Sequence, residues 1–140
     1  MRFHDELVGC CIFALPPRQI YTRYGGLTWE LARLWVDDVM PRNTESWLIG
    51  QSIRWVRRNR SEVEWLVSYA DPSQGHSGVI YRTTNWESDG MTDEGRKTPR
   101  KDYLDPRTGK RYSRKAHVPE GVEYDLVPRI SKHRYRMRLH

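Results

Sequence analysis

Glu64–Trp86 reads EWLVSYADPSQGHSGVIYRTTNW, and this stretch decides the fold class. Trp65–Ala70 is a short run of aromatic, β-branched and aliphatic residues closed by Asp71-Pro72, which reads as a strand. Pro72 has no amide donor and biases Asp71 away from helical dihedrals, so the strand ends there. After the turn-like Ser73-Gln74-Gly75, Val79, Ile80 and Thr83 recur at helical spacing, which predicts a short helix up to Asn85-Trp86. Asp71 then sits at the carboxyl end of a strand and faces the start of a helix carrying Tyr81. In open α/β sheets that edge is where ligands bind. A carboxylate and a phenol placed there form a candidate acid/base pair. Taken singly, Asp71 reads as a turn or cap residue and Tyr81 as core.

Working backwards, Met40-Pro41-Arg42-Asn43-Thr44-Glu45-Ser46 leads into an amphipathic helix. Asn43 or Thr44 suits its N-cap, and Glu45 in the first turn complements the dipole. Leu48, Ile49, Ser52, Ile53 and Val56 share one face, while Arg54, Arg57, Arg58 and Arg60 crowd the end. A polar loop feeding a helix N-terminus suits an anion as well as it suits ordinary capping. It is not a P-loop, since no glycine run or Gly-Lys-Ser/Thr is present. Leu27–Val36 (LTWELARLWV) reads as another strand, with Arg33 set among large apolar groups. An arginine so placed has a specific anionic partner or snorkels to solvent. Glu6–Leu15 is apolar nearly throughout and reads as a strand buried on both faces, ended by Pro16-Pro17. Arg18–Gly26 reads as a loop or loose hairpin turning at Gly25-Gly26.

The 140 residues suffice for one domain with one core, and no apolar run is long enough to cross a bilayer. Adjacent Cys10 and Cys11 point to opposite faces of a strand and do not pair, consistent with a reducing cytoplasm. Charge is unevenly placed. Residues 1–95 hold ten Lys+Arg against thirteen Asp+Glu, a balance of −3; residues 96–140 hold fourteen against five, a balance of +9. We therefore expect a single domain over 1–140, with a core over 1–95 and a basic part over 96–140. A basic last third implies a polyanionic partner. Nine Lys/Arg fall between Arg96 and Lys115, interleaved with Tyr103 and Tyr112 around the turn-like Asp105–Lys110. Arg107, Lys110, Arg111, Arg114 and Lys115 are accordingly the expected contacts to nucleic-acid phosphates, and a charged, partly mobile loop is the alternative. Beyond Trp86, Ser88-Asp89-Gly90 and Asp93-Glu94-Gly95 read as turns. Val118–Val127 reads as a loop and edge strand, and Ser131–Leu139 as a half-buried terminal strand with a cationic outer face. Neither Cys-X-X-Cys nor His-Glu-X-X-His occurs, so no dedicated metal site is signalled.

The order of strand, strand, polar loop into helix, strand and short Tyr-bearing helix resembles the GCN5-related N-acetyltransferases. That resemblance implies a mixed α/β sheet flanked by helices, with the usual N-terminal strand and helices shortened or missing. It also implies acetyl-CoA or a related acyl-CoA held by its pyrophosphate at Arg42, Asn43, Thr44, Ser46 and Trp47, and Tyr81 as general acid. The Arg/Gln-X-X-Gly-X-Gly/Ala loop of that family is absent. A more specific resemblance is to the Mom DNA-modification proteins of bacteriophages. It is carried by Glu30-Leu31-Ala32-Arg33-Leu34, Asn43 with Ser46, Ser68-Tyr69-Ala70-Asp71, Gly75-His76-X-Gly78-X-Ile80-Tyr81 and Thr84-Asn85-Trp86.

Mom proteins add a carbamoylmethyl group to the exocyclic amine of adenine, which shields phage DNA from restriction. The resemblance implies that Arg33, Ser46, Asp71 and Tyr81 matter for activity, with double-stranded DNA as acceptor in the bacterial host cytoplasm. Asp71 would orient or deprotonate the amine. Adenine hides that amine in a duplex, so the base has to be flipped out. Iron is a further candidate cofactor that no motif signals. A functional histidine near the N-terminus of Mom proteins has only His4 as a weak counterpart. Completion of the site by a second subunit, as a homodimer, would offset the short N-terminal region. Two other readings stay open: a non-catalytic DNA-binding protein on a degenerate fold, and an acyltransferase acting on a protein or small amine.

Overall fold

A computed structural model describes residues 1–75 and 78–140. A hairpin of β1 (Arg2–Phe3) and β2 (Glu6–Leu7) leads to β3 (Gly9–Ala14), α1 (Arg18–Tyr24), β4 (Thr28–Val36) and α2 (Thr44–Asn59). Then come β5 (Trp65–Ala70), a single 3-10 turn (Pro72–Gln74), α3 (Val79–Thr83), β6 (Glu87–Met91), β7 (Lys101–Leu104) and β8 (Arg111–Tyr112). A second 3-10 turn (Lys115–His117), β9 (Asp125–Pro128) and β10 (His133–Arg138) complete the chain. The main sheet has the order β3-β4-β5-β10-β6, and a separate sheet has the order β8-β7-β9. Only the β4–β5 pair is parallel among the described ladders of the main sheet.

The expected amphipathic helix forms, over Thr44–Asn59, with Leu48, Ile49, Ile53 and Val56 buried on its inner face. Asn43 holds the N-cap position with φ +69°, but its side chain makes no capping bond. Thr44 Oγ1 instead donates to the Pro41 carbonyl at 2.6 Å. Val56, Val63 and Leu66 are fully buried where α2 returns into β5, and each such side chain stabilises by roughly 1.5–3 kcal/mol. The terminal strand β10 lies inside the sheet between β5 and β6, so Tyr135, Met137 and Leu139 complete the core. The basic last third therefore supplies core residues as well as charge.

Two N-terminal expectations are corrected. Glu6–Leu15 is not buried on both faces: β3 is an edge strand, with Ile12 50 % exposed while Cys11 and Phe13 pack against the core. Arg18–Gly26 is not a loop but contains α1, which buries only Ile20. Gly25, read as a hairpin turn, is the left-handed stop of that helix at φ +70°, its N–H donating to the Tyr21 carbonyl at 2.8 Å. With one buried residue in two turns there is no apolar stripe for periodicity to reveal.

A third correction concerns Ser88-Asp89-Gly90, which is strand and not turn. Asp89 is the polar hub of the sheet face opposite α2. Its carboxylate accepts from Arg23 at 3.0 and 3.1 Å, from the Tyr24 hydroxyl at 2.6 Å and from Arg134 Nε at 2.7 Å. These bonds tie α1 to β6 and β10, and the Tyr24 ring stacks on Trp65 at 5.3 Å. Burial alone would raise the Asp89 pKa; the donors outweigh it and hold it down at about 2.

Because the folded pKa lies below the ordinary value near 3.9, the stabilisation is complete above that value and is lost as pH falls through the window from about 4 to about 2. Asp89→Asn should lower stability at neutral pH by roughly 2 kcal/mol or more, since one pKa unit is about 1.4 kcal/mol and Arg134 would lose its counter-charge. It should also flatten the acid limb. Urea denaturation at several pH values checks this, and parallel pH profiles for parent and variant would contradict it.

Candidate active site

The parallel ladder joins Thr28, Trp29 and Glu30 to Trp65, Leu66 and Val67, then stops, although β4 runs on to Val36 and β5 to Ala70. The two strands diverge and leave a cleft of about 510 Å³ that reaches α3. Ser68 is fully buried beside the point of divergence, its Oγ 2.9 Å from the Leu31 carbonyl and 2.8 Å from the Tyr81 phenol oxygen. The carbonyl can only accept, so when both bonds are made the single Ser68 proton points to Leu31 and the phenol donates to Ser68. Burial raises the Tyr81 pKa, which keeps the phenol protonated.

The β3–β4 register supplies the other wall. Ile12 faces Arg33 and Phe13 faces Leu31, so Ala32 is an extra residue in β4. The irregularity resets the side-chain alternation. Trp29 and Leu31 point into the core, then Leu34 takes that side and Arg33 becomes exposed at the cleft. The apparent conflict of an arginine among apolar neighbours is thereby removed.

Asp71 closes the carboxyl end of β5. Its Oδ1 accepts from the Ser73 hydroxyl at 2.6 Å and from the Ser73 N–H at 3.0 Å, while Oδ2 lies 3.5 Å from Lys132 Nζ. The Ser73 hydroxyl bond is the main cause that lowers the Asp71 pKa, so the group is a fixed anion at neutral pH. The capping role read from the sequence is real. Oδ2 faces an ammonium and retains a free lone pair for a ligand.

A profile of the Mom protein family matches residues 3–140. The chain belongs to the Mom protein family. Over 58 residues it is 41 % identical to the methylcarbamoylase Mom of Escherichia phage Mu, a segment covering 41 % of this chain and 24 % of the phage protein. Three solved structures share the fold. A GNAT family acetyltransferase from Elizabethkingia anophelis with acetyl-CoA bound is 12 % identical, with TM-score 0.57 over 98 % of this chain and 72 % of that one. The ribosomal-protein-alanine N-acetyltransferase of Brucella melitensis is 13 % identical, with TM-score 0.58 over 99 % and 65 %. An N-acetyltransferase from Staphylococcus aureus Mu50 is 16 % identical, with TM-score 0.57 over 99 % and 65 %. The chain thus spans about two thirds of these relatives in fold, and at this identity the likeness establishes the GNAT-like fold alone.

Three of the four residues that the Mom resemblance singled out, Arg33, Asp71 and Tyr81, line the same cleft. The fourth, Ser46, is half-buried in the first turn of α2 and does not line it; Glu45 does. Arg42, Asn43, Thr44 and Trp47 border a separate depression of about 500 Å³ with Met1 and Phe3. The loop expected to hold a pyrophosphate is therefore divided, and its acidic residue faces the cleft. His76, part of one Mom motif, lies outside the described residues. Gly78 of the same motif has a physical reason to be glycine: it holds φ +71° at the start of α3, and a Cβ there would collide with the Tyr135 hydroxyl. Among the described residues no cluster of three or more His, Cys, Asp or Glu side chains could hold a metal ion. Nor is any described helix long and apolar enough to cross a membrane.

On the opposite side of the β4–β5 divergence lies a second, polar cleft of about 620 Å³. The two clefts share Tyr69, Asp71, Gln74 and Lys132, so they meet at the end of β5. Of the cations expected to contact DNA, only Arg111 lines this second cleft; Arg107 and Lys110 sit in the exposed β7–β8 turn, and Arg114 and Lys115 beyond β8. Lys132 was not legible from the sequence. It stands 61 positions from Asp71, and only the antiparallel β5–β10 register, which sets His133 against Ala70, brings the two together.

Removing the stronger donor to Asp71 should matter more than removing its counter-charge. Ser73→Ala should raise the Asp71 pKa toward 3.9 by more than Lys132→Ala does. Carboxyl-carbon NMR titration reads both shifts, and a larger effect from Lys132→Ala would contradict the assignment.

Proposed function

We propose that this protein is a DNA-modifying transferase that uses an acyl-coenzyme A-type donor in the β4–β5 cleft and an exocyclic amine, that of adenine, as acceptor. The observation that carries this reading is the convergence of Arg33, Asp71 and Tyr81, drawn from β4, the end of β5 and α3, on one gap in a GNAT-like sheet. The phage Mu relative is named a methylcarbamoylase, and protection of phage DNA from host restriction in the bacterial cytoplasm is the corresponding role.

The chain's own groups fit such a donor in part. The divergence leaves the β5-facing main chain of residues 31–36 outside any ladder with β5, and the Arg33 guanidinium offers a counter-charge to a phosphate-bearing ligand. Glu45 opposes an anion at the same mouth. When bound, the donor supplies the electrophilic carbon. Transfer to an amine releases one proton, which passes to solvent at the open cleft, and the departing group takes one. Tyr81, kept protonated by burial and oriented by Ser68, supplies that proton by turning its O–H from Ser68 to the departing group, and regains one from solvent. Asp71 is a weak base because its pKa is low, so it orients the amine by accepting from it. The exposed cations around β8 attract the acidic duplex.

Mass spectrometry of nucleosides from DNA of cells expressing the chain tests this reading. A modified adenosine is expected; unmodified DNA together with tight acetyl-CoA binding would point to a different amine acceptor. Tyr81→Phe should remain folded, losing about 1 kcal/mol for one hydrogen bond, with modification down by roughly a hundredfold. Asp71→Asn should lower it roughly ten- to a hundredfold, the worth of a hydrogen bond to a charged group. Ser46→Glu should weaken acetyl-CoA binding by adding negative charge in the first turn of α2. Full activity in both Tyr81→Phe and Asp71→Asn would contradict the assignments, and unchanged calorimetric affinity for Ser46→Glu would make that position a cap only.

A further inference from the structure

The second cleft carries both signs of charge. The main-sheet side contributes two carboxylates, Glu30 from β4 and Asp71 just past β5, with Lys132 paired to Asp71 and Arg134 paired to Asp89. The three-stranded sheet and its approaches contribute the guanidiniums of Arg96, Arg100, Arg111 and Arg129 and the Asp102 carboxylate. Some of this positive charge is spent internally. Arg129 Nε donates to Asp102 at 2.7 Å, and Arg100 Nε donates to Asp93 at 2.7 Å. Arg111 keeps only a 3.9 Å approach to Asp102 and a bond to the Pro128 carbonyl. Arg96 has no side-chain partner among the described residues. Arg96 and Arg111 are thus the cations left to answer a ligand.

We propose that this cleft seats a single amino-bearing nucleotide turned out of a DNA strand, with its exocyclic amine on Glu30 and Asp71 and its flanking phosphates on Arg96 and Arg111. The inference rests on the preceding reading that DNA is the acceptor, and it names the seat. An exocyclic amine donates to carboxylates, and a phosphate accepts from guanidiniums, bidentately where geometry allows. A nucleotide carries these two chemistries at its opposite ends; in the cleft Glu30 and Asp71 answer the one, and Arg96 and Arg111 the other. The volume of about 620 Å³ lies within the range of roughly 300–1,000 Å³ usual for small-ligand sites. Burial raises the Glu30 pKa, against the pull of Arg33 and Lys132. A donor arriving from the base restores part of the hydration that the carboxylate has lost. Asp71 also lines the β4–β5 cleft, so an amine held there stands at the junction of the two clefts.

The test uses the whole chain and a short duplex containing one 2-aminopurine opposite an abasic position; its fluorescence rises when the base leaves the stack. The parent should raise the emission on binding. Glu30→Met, which removes the acceptor while keeping the side-chain length, should keep the parent's salt slope, which reports the phosphate contacts, but abolish the rise. The double variant Arg96→Ala/Arg111→Ala should weaken binding and flatten the plot of log affinity against log salt by about 0.9 for each phosphate given up, with the rise restored at saturating protein. Near-UV circular dichroism confirms that both variants fold. A parent that leaves the probe dark, a Glu30→Met variant that still lights it, or an arginine double variant with the parent's salt slope would overturn the seat. Nucleoside mass spectrometry separates this from the transfer reading. Modified DNA with a dark probe overturns the seat alone; a lit probe with unmodified DNA supports the seat and overturns the transfer.

Discussion

Parallel pairing between β4 and β5 lasts for three residues on each strand, ending at Glu30 and Val67. Beyond that point each strand keeps its other neighbour: β4 stays paired to β3 and β5 to β10. The sheet therefore opens without losing its outer ladders, and the backbone groups facing the gap are the ones left for other partners. Ser68 caps the split by reaching the Leu31 carbonyl, and through the same oxygen it takes up the Tyr81 phenol. A buried serine in a strand would otherwise be an unpaid polar group; here it joins β4, β5 and α3 at the place where the cleft begins.

Electrostatics divide along the same line. On the α2 side the cleft is reached by Arg33, and on the other side the polar cleft runs toward the three-stranded sheet. Much of the cationic last third is neutralised inside the fold: Arg134 by Asp89, Arg129 by Asp102 and Arg100 by Asp93. Each such pair cancels one acid with one arginine and leaves the net +6 of the chain unchanged, and Arg96, Arg111 and the exposed β7–β8 turn are among the cations that keep no carboxylate within hydrogen-bonding distance. Asp71 is common to both clefts and carries a full negative charge, held by Ser73 and faced by Lys132. Its position favours holding a donor group over removing a proton from it.

The central elements were legible because their signals are local. Trp65–Ala70 is bounded by a proline, α2 has four buried residues at helical spacing, and α3 follows a glycine that its φ requires. Membership of the Mom family was legible from joint motifs that no single residue carries. Elements held by long-range contacts were not. Helix α1 buries one residue, and β6 looks like a turn because Asp89 and Gly90 lie within it; its partners Arg23 and Arg134 stand 66 and 45 positions away. Arg33 illustrates both cases, since its unusual place among apolar neighbours was visible while the extra residue at Ala32 that frees it depends on the β3 register. The division of the expected pyrophosphate loop between two depressions likewise follows from how α2 packs, which capping preferences do not encode.

Amide hydrogen exchange with and without acetyl-CoA tests most directly whether the β4–β5 divergence is the donor site. The amides of residues 31–36 and 68–71 border the gap, so coenzyme filling it should slow their exchange more than that of any other segment. Slowing confined to the Met1–Phe3 and Trp47 depression, or none anywhere at saturating coenzyme, would contradict the account.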